Sequence, residues 1–346
     1  MKPQSRRGLG LVFLTATTIV WGSSVILLKQ TINTLPPVFV LALRFLIASV
    51  LLLAIFGVKL KGMSKGTLVR GIILGLVVAA AYVVQTYGLR FTTASRNSFI
   101  TGAYCVMCPF LAWMVEKKRP RYHSLIAAAL CIAGLAMIAF AGGDDGGLHF
   151  LGDGLTFLGA IGYAAQIILI FSFQVKHGDN AIQLLVMEIV TVAIVCSVLT
   201  ASVEIPLYGV KSFVFGWDEA WRIIYLGVIC TLVAQMAQMI GQKYTSPAQA
   251  GMVLSMESAF GVVFAIIIGH EKLSWFLGGA FLFIFVAQIL NALGPWIDDR
   301  IAARKTQVVP QEEEQETPST EEEGAADPGI SDPPPEGSPL SNEDPT

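Results

Sequence analysis

The chain has 346 residues, of which 54% are hydrophobic and 14% are charged, and its mean hydropathy is +0.65. A soluble domain carries about 25% charged residues, so this composition excludes an ordinary soluble enzyme. The charge is also segregated, because residues 1–305 hold 23 basic and 13 acidic side chains, whereas residues 306–346 hold 12 acidic and no basic ones. The sequence therefore describes a basic, apolar body followed by an acidic tail.

Ten apolar stretches follow one another along the body, each close to the length of about 20 residues that a transmembrane helix needs. A soluble bundle would have to cover ten such helices with polar surface that the sequence does not contain. We therefore expect an all-α polytopic membrane protein with ten transmembrane helices. The stretches are Leu9–Leu28, Pro37–Val58, Gly71–Leu89, Ser98–Val115, Leu125–Ala141, Leu155–Phe173, Ala181–Val203, Ile223–Ile240, Ala248–Gly269 and Trp275–Trp296.

The distribution of Lys and Arg predicts the orientation. If the N-terminus is cytoplasmic, 16 of the 22 basic residues outside the spans lie in cytoplasmic segments and 6 lie in outer loops. Cytoplasmic loops of membrane proteins carry an excess of Lys and Arg, and an even number of spans returns the C-terminus to the same side. We therefore expect a multi-pass plasma-membrane protein with cytoplasmic N- and C-termini.

The tail at 306–346 contains eight of the 16 prolines, mixed with Glu, Ser and Gly. Its apolar surface is too small to offset the entropy cost of folding, so we expect it to be disordered. The five cysteines all lie inside predicted spans, which suggests no disulfide framework. The four histidines lie near span ends, and no two have ligand spacing on one helix. We expect no metal and no cofactor.

An offset of 153 residues aligns two segments of the body. Residues 85–94 read QTYGLRFTTA and residues 238–247 read QMIGQKYTSP, and they share the pattern Q-x-x-G-x-[RK]-[FY]-T-[TS]. The first segment joins the third span to the fourth, and the second joins the eighth to the ninth. The repeat unit thus contains five spans, and this odd number requires the second copy to enter the membrane upside-down. Inverted repeats around a central site are typical of secondary transporters.

This layout resembles the EamA-type permeases of the drug/metabolite transporter superfamily, which consist of two five-helix inverted repeats. The resemblance implies a first repeat at 9–141, a Gly/Asp-rich linker at 142–154 and a second repeat at 155–296. The sequence departs from the family pattern at Ser258, where a proline is usual, and at residues 116–120, where an acidic motif is replaced. The matching motifs are Trp21-Gly22-Ser23-Ser24, Pro36, Arg44-Phe45, Ser246-Pro247-Ala248, Glu257-Ser258-Ala259-Phe260 and Gly269-His270-Glu271-Lys272-Leu273.

Three ionisable residues, Arg44, Glu188 and Glu257, lie well inside predicted spans, where charge is costly and therefore suggests function. Arg44 either binds an anionic group or pairs with a membrane carboxylate, or it packs in the bundle and holds a helix break. Glu257 is the stronger candidate for a coupling proton, because the resembled family places an acid there and low-dielectric burial suits reversible protonation. The alternative for Glu257 is structural: it caps a helix break or pairs with Arg44.

Polar and aromatic side chains in the middle of four spans are candidates to line a central substrate cavity. Trp and Tyr offer apolar walls with a polar tip, and a buried amide needs partners. The alternative for each residue is helix packing through small residues or interhelical hydrogen bonds. The candidates are Trp21, Ser23, Ser24, Tyr82, Gln85, Tyr163, Gln166, Gln235 and Gln238.

These features predict a secondary active transporter, a permease or exporter, that moves small metabolites across the plasma membrane by alternating access. The resemblance suggests amino acids or related compounds as substrates. No Walker A pattern occurs in the sequence, so we do not expect ATP to drive this chain directly. The alternative is a membrane-embedded sensor, assembly protein or enzyme without transport activity. The expected partners are a small-molecule substrate and membrane lipid, not nucleic acid, with the chain acting as a monomer or a homodimer.

Overall fold

The computed structural model describes residues 3–117, 119–120, 122–140, 148–245, 247–272 and 274–290. Residues 142–147 of the predicted linker, residues 291–296 of the tenth predicted span and the whole predicted tail at 306–346 lie outside the described residues. The described ranges are built from helices and short connections, and they contain no β-strand.

The helices are numbered in chain order, and π-helical turns continue several of them. The π-helical turns cover Ser172–Lys176 after α7, Thr200–Glu204 between α8 and α9, and Leu226–Val233 between α10 and α11. The helices are α1 (Pro3–Ile32), α2 (Pro37–Phe56), α3 (Lys65–Phe91), α4 (Ala94–Gly102), α5 (Tyr104–Glu116), α6 (Tyr122–Phe140), α7 (Leu148–Phe171), α8 (Ala181–Leu199), α9 (Ile205–Tyr208), α10 (Trp217–Tyr225), α11 (Ala234–Gln242), α12 (Pro247–Ser255), α13 (Glu257–Ile267) and α14 (Trp275–Leu290).

Seven helical runs within the described residues are long and apolar enough to cross a membrane, which makes this a polytopic membrane protein. Two further apolar helices are shorter, Tyr122–Ile138 and Trp275–Leu290, and α4 and α5 form an interrupted helix. The seven runs are Gly8–Ile32, Pro37–Leu60, Lys65–Phe91, His149–Lys176, Ala181–Tyr208, Trp217–Gln242 and Gln249–Ile267.

Several helices extend past the apolar stretches that predict them. The α3 helix begins at Lys65, six residues before the predicted start, because the side chain of Ser64 accepts a hydrogen bond from the Thr67 N–H and caps it. The α7 helix begins at Leu148, so residues 148–154 of the predicted linker are helical. A prediction based on apolar residues ends too early where a helix end contains polar residues. Asp153 in the first turns of α7 is an example.

Two pairs of glycines let helix backbones approach closely. A Cβ added to Gly88 of α3 would lie 2.7 Å from the carbonyl oxygen of Gly152 of α7, and one added to Gly152 would lie 2.8 Å from that of Gly88. Gly241 of α11 and Gly10 of α1 approach in the same reciprocal manner, at 2.9 and 3.0 Å. Small residues are the usual means of close helix packing in membranes.

The bundle has two ends that differ in chemistry. At the first, which we call the capped end, Glu204 accepts hydrogen bonds from the first turn of α2 and Glu271 accepts them from the first turn of α4. Lys29 donates there to the last turn of α3. At the other, which we call the Arg70 end, Arg70 pairs with Asp179. Both ends are therefore closed by contacts between helices that are distant in sequence.

Candidate functional site

Two helix interruptions recur at the predicted offset of 153 residues. The α4 helix spans Ala94–Gly102 and α5 starts at Tyr104, whereas α12 spans Pro247–Ser255 and α13 starts at Glu257. Adding 153 to the three bounds that flank the first interruption, 94, 102 and 104, gives those that flank the second, 247, 255 and 257. Each interruption places one side chain, Tyr104 or Glu257, at the start of a helix in the middle of the bundle.

A central cavity lies between α1, α2, α3, α4, α7 and the two interruptions. Its free volume is about 50 Å³, which accommodates a few water molecules. The cavity extends from the middle of the bundle toward the capped end. Its lining includes Leu28, which precedes Lys29, and Leu89, whose carbonyl accepts a hydrogen bond from Lys29. The lining residues are Trp21, Ser24, Val25, Leu28, Arg44, Tyr82, Gln85, Thr86, Leu89, Asn97, Thr101, Tyr104, Tyr163, Gln166, Ile167, Gln238, Leu254 and Glu257.

Two helices present a complete stripe to this cavity. The α1 residues follow the spacing i, i+3, i+4, i+7 from Trp21 to Leu28, and the α3 residues follow the same spacing from Tyr82 to Leu89. This spacing is one face of an α-helix over two turns. The indole N–H of Trp21 donates to the carbonyl of Cys230 at 2.9 Å, which fixes the ring at the wall.

Gln85 lines the cavity and also forms hydrogen bonds between helices, so both roles that the sequence suggests for it, cavity lining and interhelical bonding, are found together. Its Nε2 donates to Thr101 Oγ1 at 2.7 Å, and its Oε1 accepts from the hydroxyl of Tyr163 at 2.6 Å. Tyr163 also meets Tyr82 edge to face, with ring centroids 5.3 Å apart. The cavity wall on this side is therefore polar, aromatic and held rigid by its own hydrogen bonds.

Arg44 is buried on the cavity wall, and three contacts position it. Its Nε donates to Thr231 Oγ1 at 2.9 Å, in the π-helical turn before α11. Its guanidinium carbon lies 5.2 Å from the ring centroid of Tyr82 and 5.3 Å from that of Phe45. Aromatic faces attract a guanidinium and hold it in orientation. Arg44 is thus anchored to a helix irregularity and also faces the cavity.

Glu257 lines the same cavity as Arg44, and pairing of the two, one of the alternatives that the sequence left open, is not observed in the described part of the chain. Among the described residues, no ion pair joins Arg44 to Glu257 or to Glu188; both ion pairs found there involve other residues. Glu257 follows Met256, which separates α12 from α13, and so stands at the helix break that the sequence suggests. The cavity therefore holds one cationic and one acidic group that do not neutralise each other directly.

Three sequence candidates lie outside the cavity. Ser23 lies within hydrogen-bond distance of the Tyr225 hydroxyl at 2.9 Å. Glu188 is fully buried behind the wall, where its Oε1 accepts from Nε2 of Gln166 at 2.7 Å. Gln235 is also buried, and neither polar atom of its amide has a hydrogen-bond partner. The other nine candidates, including Arg44 and Glu257, all line the cavity.

The sequence reasoning missed the cavity residues of α4 and α5, Asn97, Thr101 and Tyr104. The signal that could have found them is the repeat itself, because Tyr104 is the counterpart of Glu257 at the offset of 153. It also missed buried charges near span ends. Arg96 and Asp153 form a buried ion pair, and Glu204 is fully buried although the predicted span ended one residue before it. Charges are therefore buried near the span ends as well as at the three positions inside the predicted spans.

Asp218 and Glu219 lie in the first turn of α10, where Asp218 is exposed and Glu219 is partly exposed. Within the described ranges, no three His, Cys, Asp or Glu residues are placed to hold a metal ion. All five cysteines lie among the described residues, where they are buried and form no disulfide. At the Arg70 end, the guanidinium of Arg70 hydrogen-bonds to Asp179 and holds the pKa of that carboxyl below its usual value.

The chain is similar over most of its length to proteins that are named uncharacterized transporters. It is 25% identical over 281 residues to an uncharacterized transporter of Archaeoglobus fulgidus, covering 80% of this chain and 84% of that protein. It is 22% identical over 280 residues to a second one from the same organism, covering 78% and 92%. A solved structure shares the fold, with a TM-score of 0.60 and 15% identity over 82% of this chain and 97% of the other.

The EamA-like transporter family matches the chain twice, at residues 8–140 and at residues 150–293. These two ranges together cover well over half of the sequence and include the central cavity. The chain belongs to the EamA-like transporter family.

Proposed function

We propose that this protein is a secondary active transporter that moves small zwitterionic metabolites, such as amino acids, across the plasma membrane by alternating access. The observation that carries this proposal is the presence of Arg44 and Glu257 on one cavity wall without an ion pair between them. A buried charge is stable only when it is compensated. A substrate with a carboxylate and an ammonium group compensates both at once.

The surrounding residues suit a small amphipathic molecule. A guanidinium offers a planar, bidentate donor set that matches a carboxylate. Trp21, Tyr82 and Tyr163 supply apolar walls for a side chain, and Gln85 and Asn97 supply neutral polar groups. Such a mixture of mostly apolar walls and a few placed polar groups is typical of small-molecule sites.

The cavity volume supports a cycle with more than one conformation. About 50 Å³ is far below the roughly 300–1,000 Å³ that ligand pockets occupy. A metabolite can enter only if helices move apart, and alternating access requires such a movement at each end in turn. We further propose ten transmembrane helices in two inverted repeats, at 9–141 and 155–296, with both termini cytoplasmic. In this orientation the capped end is the outer one.

The test is flux in liposomes that contain the purified protein, with a panel of radiolabelled amino acids, organic cations and organic anions. We expect saturable uptake of at least one zwitterion and no uptake of ions of single charge. Arg44→Gln should abolish that uptake. Val50→Ala is the matched control, since Val50 lies on the same helix with 63% of its surface exposed on the outside of the bundle. Absence of flux for every compound would favour a sensor, assembly or enzymatic role.

Glu257 is our proposed coupling residue, because low-dielectric surroundings suit a carboxyl that gains and loses a proton during the cycle. Glu257→Gln should keep expression and substrate exchange at saturating substrate, with a higher KM because an ammonium contact is lost, but abolish accumulation driven by a pH gradient. If Glu257 is structural instead, the variant will fold poorly and removal of the Arg44 charge will restore part of the folded yield. Unchanged pH-driven accumulation would show that Glu257 carries no coupling proton.

A further inference from the structure

We propose that α7, α8 and α11 contain a second half-site, closed in this structure, which opens at the Arg70 end and binds the ammonium group of the substrate through Glu188. The proposal rests on the proposed transport function and assigns the other half of the substrate path. It follows from three residue-by-residue correspondences between the halves, from polar atoms that lack partners, and from the position of α1.

The first correspondence relates α3 to α11. The cavity stripe of α3 begins at Tyr82 and ends at Leu89. The offset of 153 that relates the helix interruptions maps this stripe onto four residues of α11. Of those four, only Gln238 reaches the cavity, and the other three are buried or packed away from it. The four residues are Gln235, Gln238, Met239 and Gln242.

The second correspondence relates α1 to α7 at an offset of 142, which maps Trp21 onto Tyr163 and Ser24 onto Gln166, all four of them cavity residues. The glycine crossings verify both offsets. Gly88 of α3 crosses Gly152 of α7, and Gly241 of α11 crosses Gly10 of α1. Gly88 plus 153 is 241, and Gly10 plus 142 is 152. The same contact thus forms once at each end of the bundle.

The third correspondence relates α2 to α8 at an offset of 144, which maps Arg44 onto Glu188. Its contacts are again reproduced. A Cβ on Gly227 would lie 3.0 Å from the carbonyl oxygen of Arg44, and one on Gly75 would lie 2.8 Å from that of Glu188. Gly227 lies one residue before the position that the offset of 153 assigns to Gly75, within the π-helical turn Leu226–Val233. Each charged residue is the eighth of its helix, about 10 Å from the first residue. Arg44 and Glu188 are therefore counterparts, one facing the cavity and the other behind the wall.

Polar atoms in this region lack partners. Gln235, Gln242 and Glu188 are at most 2% exposed, yet both amide atoms of each glutamine and the Oε2 atom of Glu188 have no hydrogen-bond partner. An unpaired buried polar group costs free energy. If these α11 residues served only to pack helices, we would expect their polar atoms to be hydrogen-bonded or the residues to be apolar. Their counterpart stripe on α3 contains Gln85, which is fully bonded. The unpaired amides are accounted for if water or substrate binds them in another conformation.

The position of α1 explains how the half-site closes. Ala234 and Gly241 of α11 face α1, and Thr17 donates to the Ala234 carbonyl at 3.2 Å. Gln238 and Gln242 lie beside this face on the same helix, by the 3.6-residue period. Withdrawal of α1 from α11 therefore uncovers the glutamines and a path to Glu188. Gln166 already links this path to the cavity, because it lines the wall and donates to Glu188.

The two half-sites have opposite charge. Arg44 faces the half that is open to the cavity, and Glu188 is the charged group of the closed half. A zwitterion that moves from the cavity to the closed half gives up the carboxylate contact with Arg44, and its ammonium group passes from Glu257 to Glu188. This assigns the substrate a fixed polarity in the path, with the carboxylate toward the capped end.

Cysteine accessibility tests the proposal without a known substrate. Leu89→Cys and Gln242→Cys occupy counterpart positions, and each is treated with a membrane-impermeant methanethiosulfonate from either face of membrane vesicles. The unsubstituted chain, with its five native cysteines, provides the background, and Val233→Cys on the bundle exterior is the control. We expect Leu89→Cys to react only from one face and Gln242→Cys only from the opposite face. Reaction of Gln242→Cys from the face that labels Leu89→Cys, or from neither face while Leu89→Cys reacts, overturns the proposal.

The charge of the half-site is tested at Gln235→Cys, which lies about 10 Å from the end of α11, at the depth of Glu188. A cationic methanethiosulfonate should react faster than an anionic one of the same size, and Glu188→Gln should reduce this ratio by about tenfold. An unchanged ratio overturns the role of Glu188. These outcomes are independent of flux: transport without opposite-face labelling refutes the half-site alone, whereas labelling without transport refutes the proposed function.

Discussion

The starts of α2 and α8 occupy equivalent places at opposite ends of the bundle, but they are capped differently. The α2 helix has Pro36 at its N-cap, which offers no side-chain hydrogen bond. The first-turn N–H groups of Val38 and Phe39, which have no acceptor within the helix, donate to the carboxylate of Glu204 at 2.9 and 2.7 Å. The α8 helix is capped by its own Asn180, which accepts from Ile182 and Gln183. The capped end thus depends on contacts between helices, whereas α8 at the Arg70 end is satisfied locally.

This difference bears on how the two ends open. Separation of α2 from the chain that carries Glu204 would leave two N–H groups and a carboxylate unpaired. Separation at the start of α8 leaves its cap intact. The glycine crossings, in contrast, occur at both ends. The backbone contacts are thus common to both halves, and the polar clamps set which end is held closed more strongly.

The ion pairs provide the largest test of this difference. Arg96 and Asp153 at the capped end are 5% and 9% exposed, and Arg96 also donates to the Ile138 carbonyl. We expect Asp153→Asn to destabilise the protein by about 3–5 kcal/mol, because it leaves a buried guanidinium without its counterion. Thermal unfolding in detergent measures the loss. A loss no larger than that of Asp179→Asn would contradict a stronger clamp at the capped end.

The second test concerns the caps. Glu204→Ala removes the acceptor of two backbone N–H groups and of the Tyr87 hydroxyl, so we expect a loss of about 2–4 kcal/mol. Asn180→Ala is the matched change at α8, with an expected loss of about 1 kcal/mol. The loss of stability for Glu204→Gln should lie between the losses for Glu204→Ala and Asn180→Ala, because the glutamine side chain keeps one acceptor oxygen. Equal unfolding midpoints for Glu204→Ala and Asn180→Ala would show that both caps contribute alike.

The third test compares the glycine crossings. Gly88→Ala would place its Cβ 2.7 Å from the Gly152 carbonyl oxygen and 2.8 Å from the Thr156 nitrogen, which are backbone atoms that cannot turn away. A Cβ at Gly241 would meet one backbone atom rather than two, the Gly10 carbonyl oxygen at 2.9 Å, together with the side chain of Leu14 at 2.8 Å. We expect about 1–3 kcal/mol for Gly88→Ala and a smaller loss for Gly241→Ala. Gly241→Ala should also speed labelling of Gln242→Cys, because it weakens the contact of α1 with α11.

Much of the architecture could be predicted from the sequence because it depends on local pattern. Apolar length predicts the helices, and the pattern shared by residues 85–94 and 238–247 predicts an offset that recurs at both helix interruptions. The same pattern led to Gln85 and Gln238, which both line the cavity. Apolar length can be read from consecutive residues, and the repeat can be read by comparing two short segments of the sequence, so neither requires knowledge of which residues are in contact.

The pairings could not be predicted because their partners are far apart in the sequence. Glu204 caps a helix that starts 167 residues earlier, and Arg96 pairs with Asp153 across 57 residues. Hydropathy also misplaces such residues, since a charge at a helix end is counted as loop. The unpaired amide of Gln235 was likewise invisible, because a sequence contains no record of which hydrogen bonds are left unmade.

The smallest expected effect is at the Arg70 end, and it depends on pH. Arg70 is 25% exposed, and its hydrogen bonds keep the pKa of Asp179 below its usual value. A carboxyl whose pKa is lowered by folding contributes stability above the pKa of the unfolded chain, about 3.9, and loses it as the pH falls through the lowered value. We expect Asp179→Asn to cost about 0.5–1 kcal/mol at neutral pH, because a partly exposed pair is screened by solvent.

Unfolding midpoints of the parent chain and of Asp179→Asn should therefore differ at pH 7 and converge below about pH 3. Arg70→Gln should show the same convergence, since it removes the other partner of the pair. Asp153→Asn serves as the contrast, because its loss reflects an unpaired buried Arg96 and should exceed that of Asp179→Asn throughout this range. A constant difference for Asp179→Asn at every pH would mean that its hydrogen bond with Thr67, and not the charge of Arg70, is what stabilises the Arg70 end.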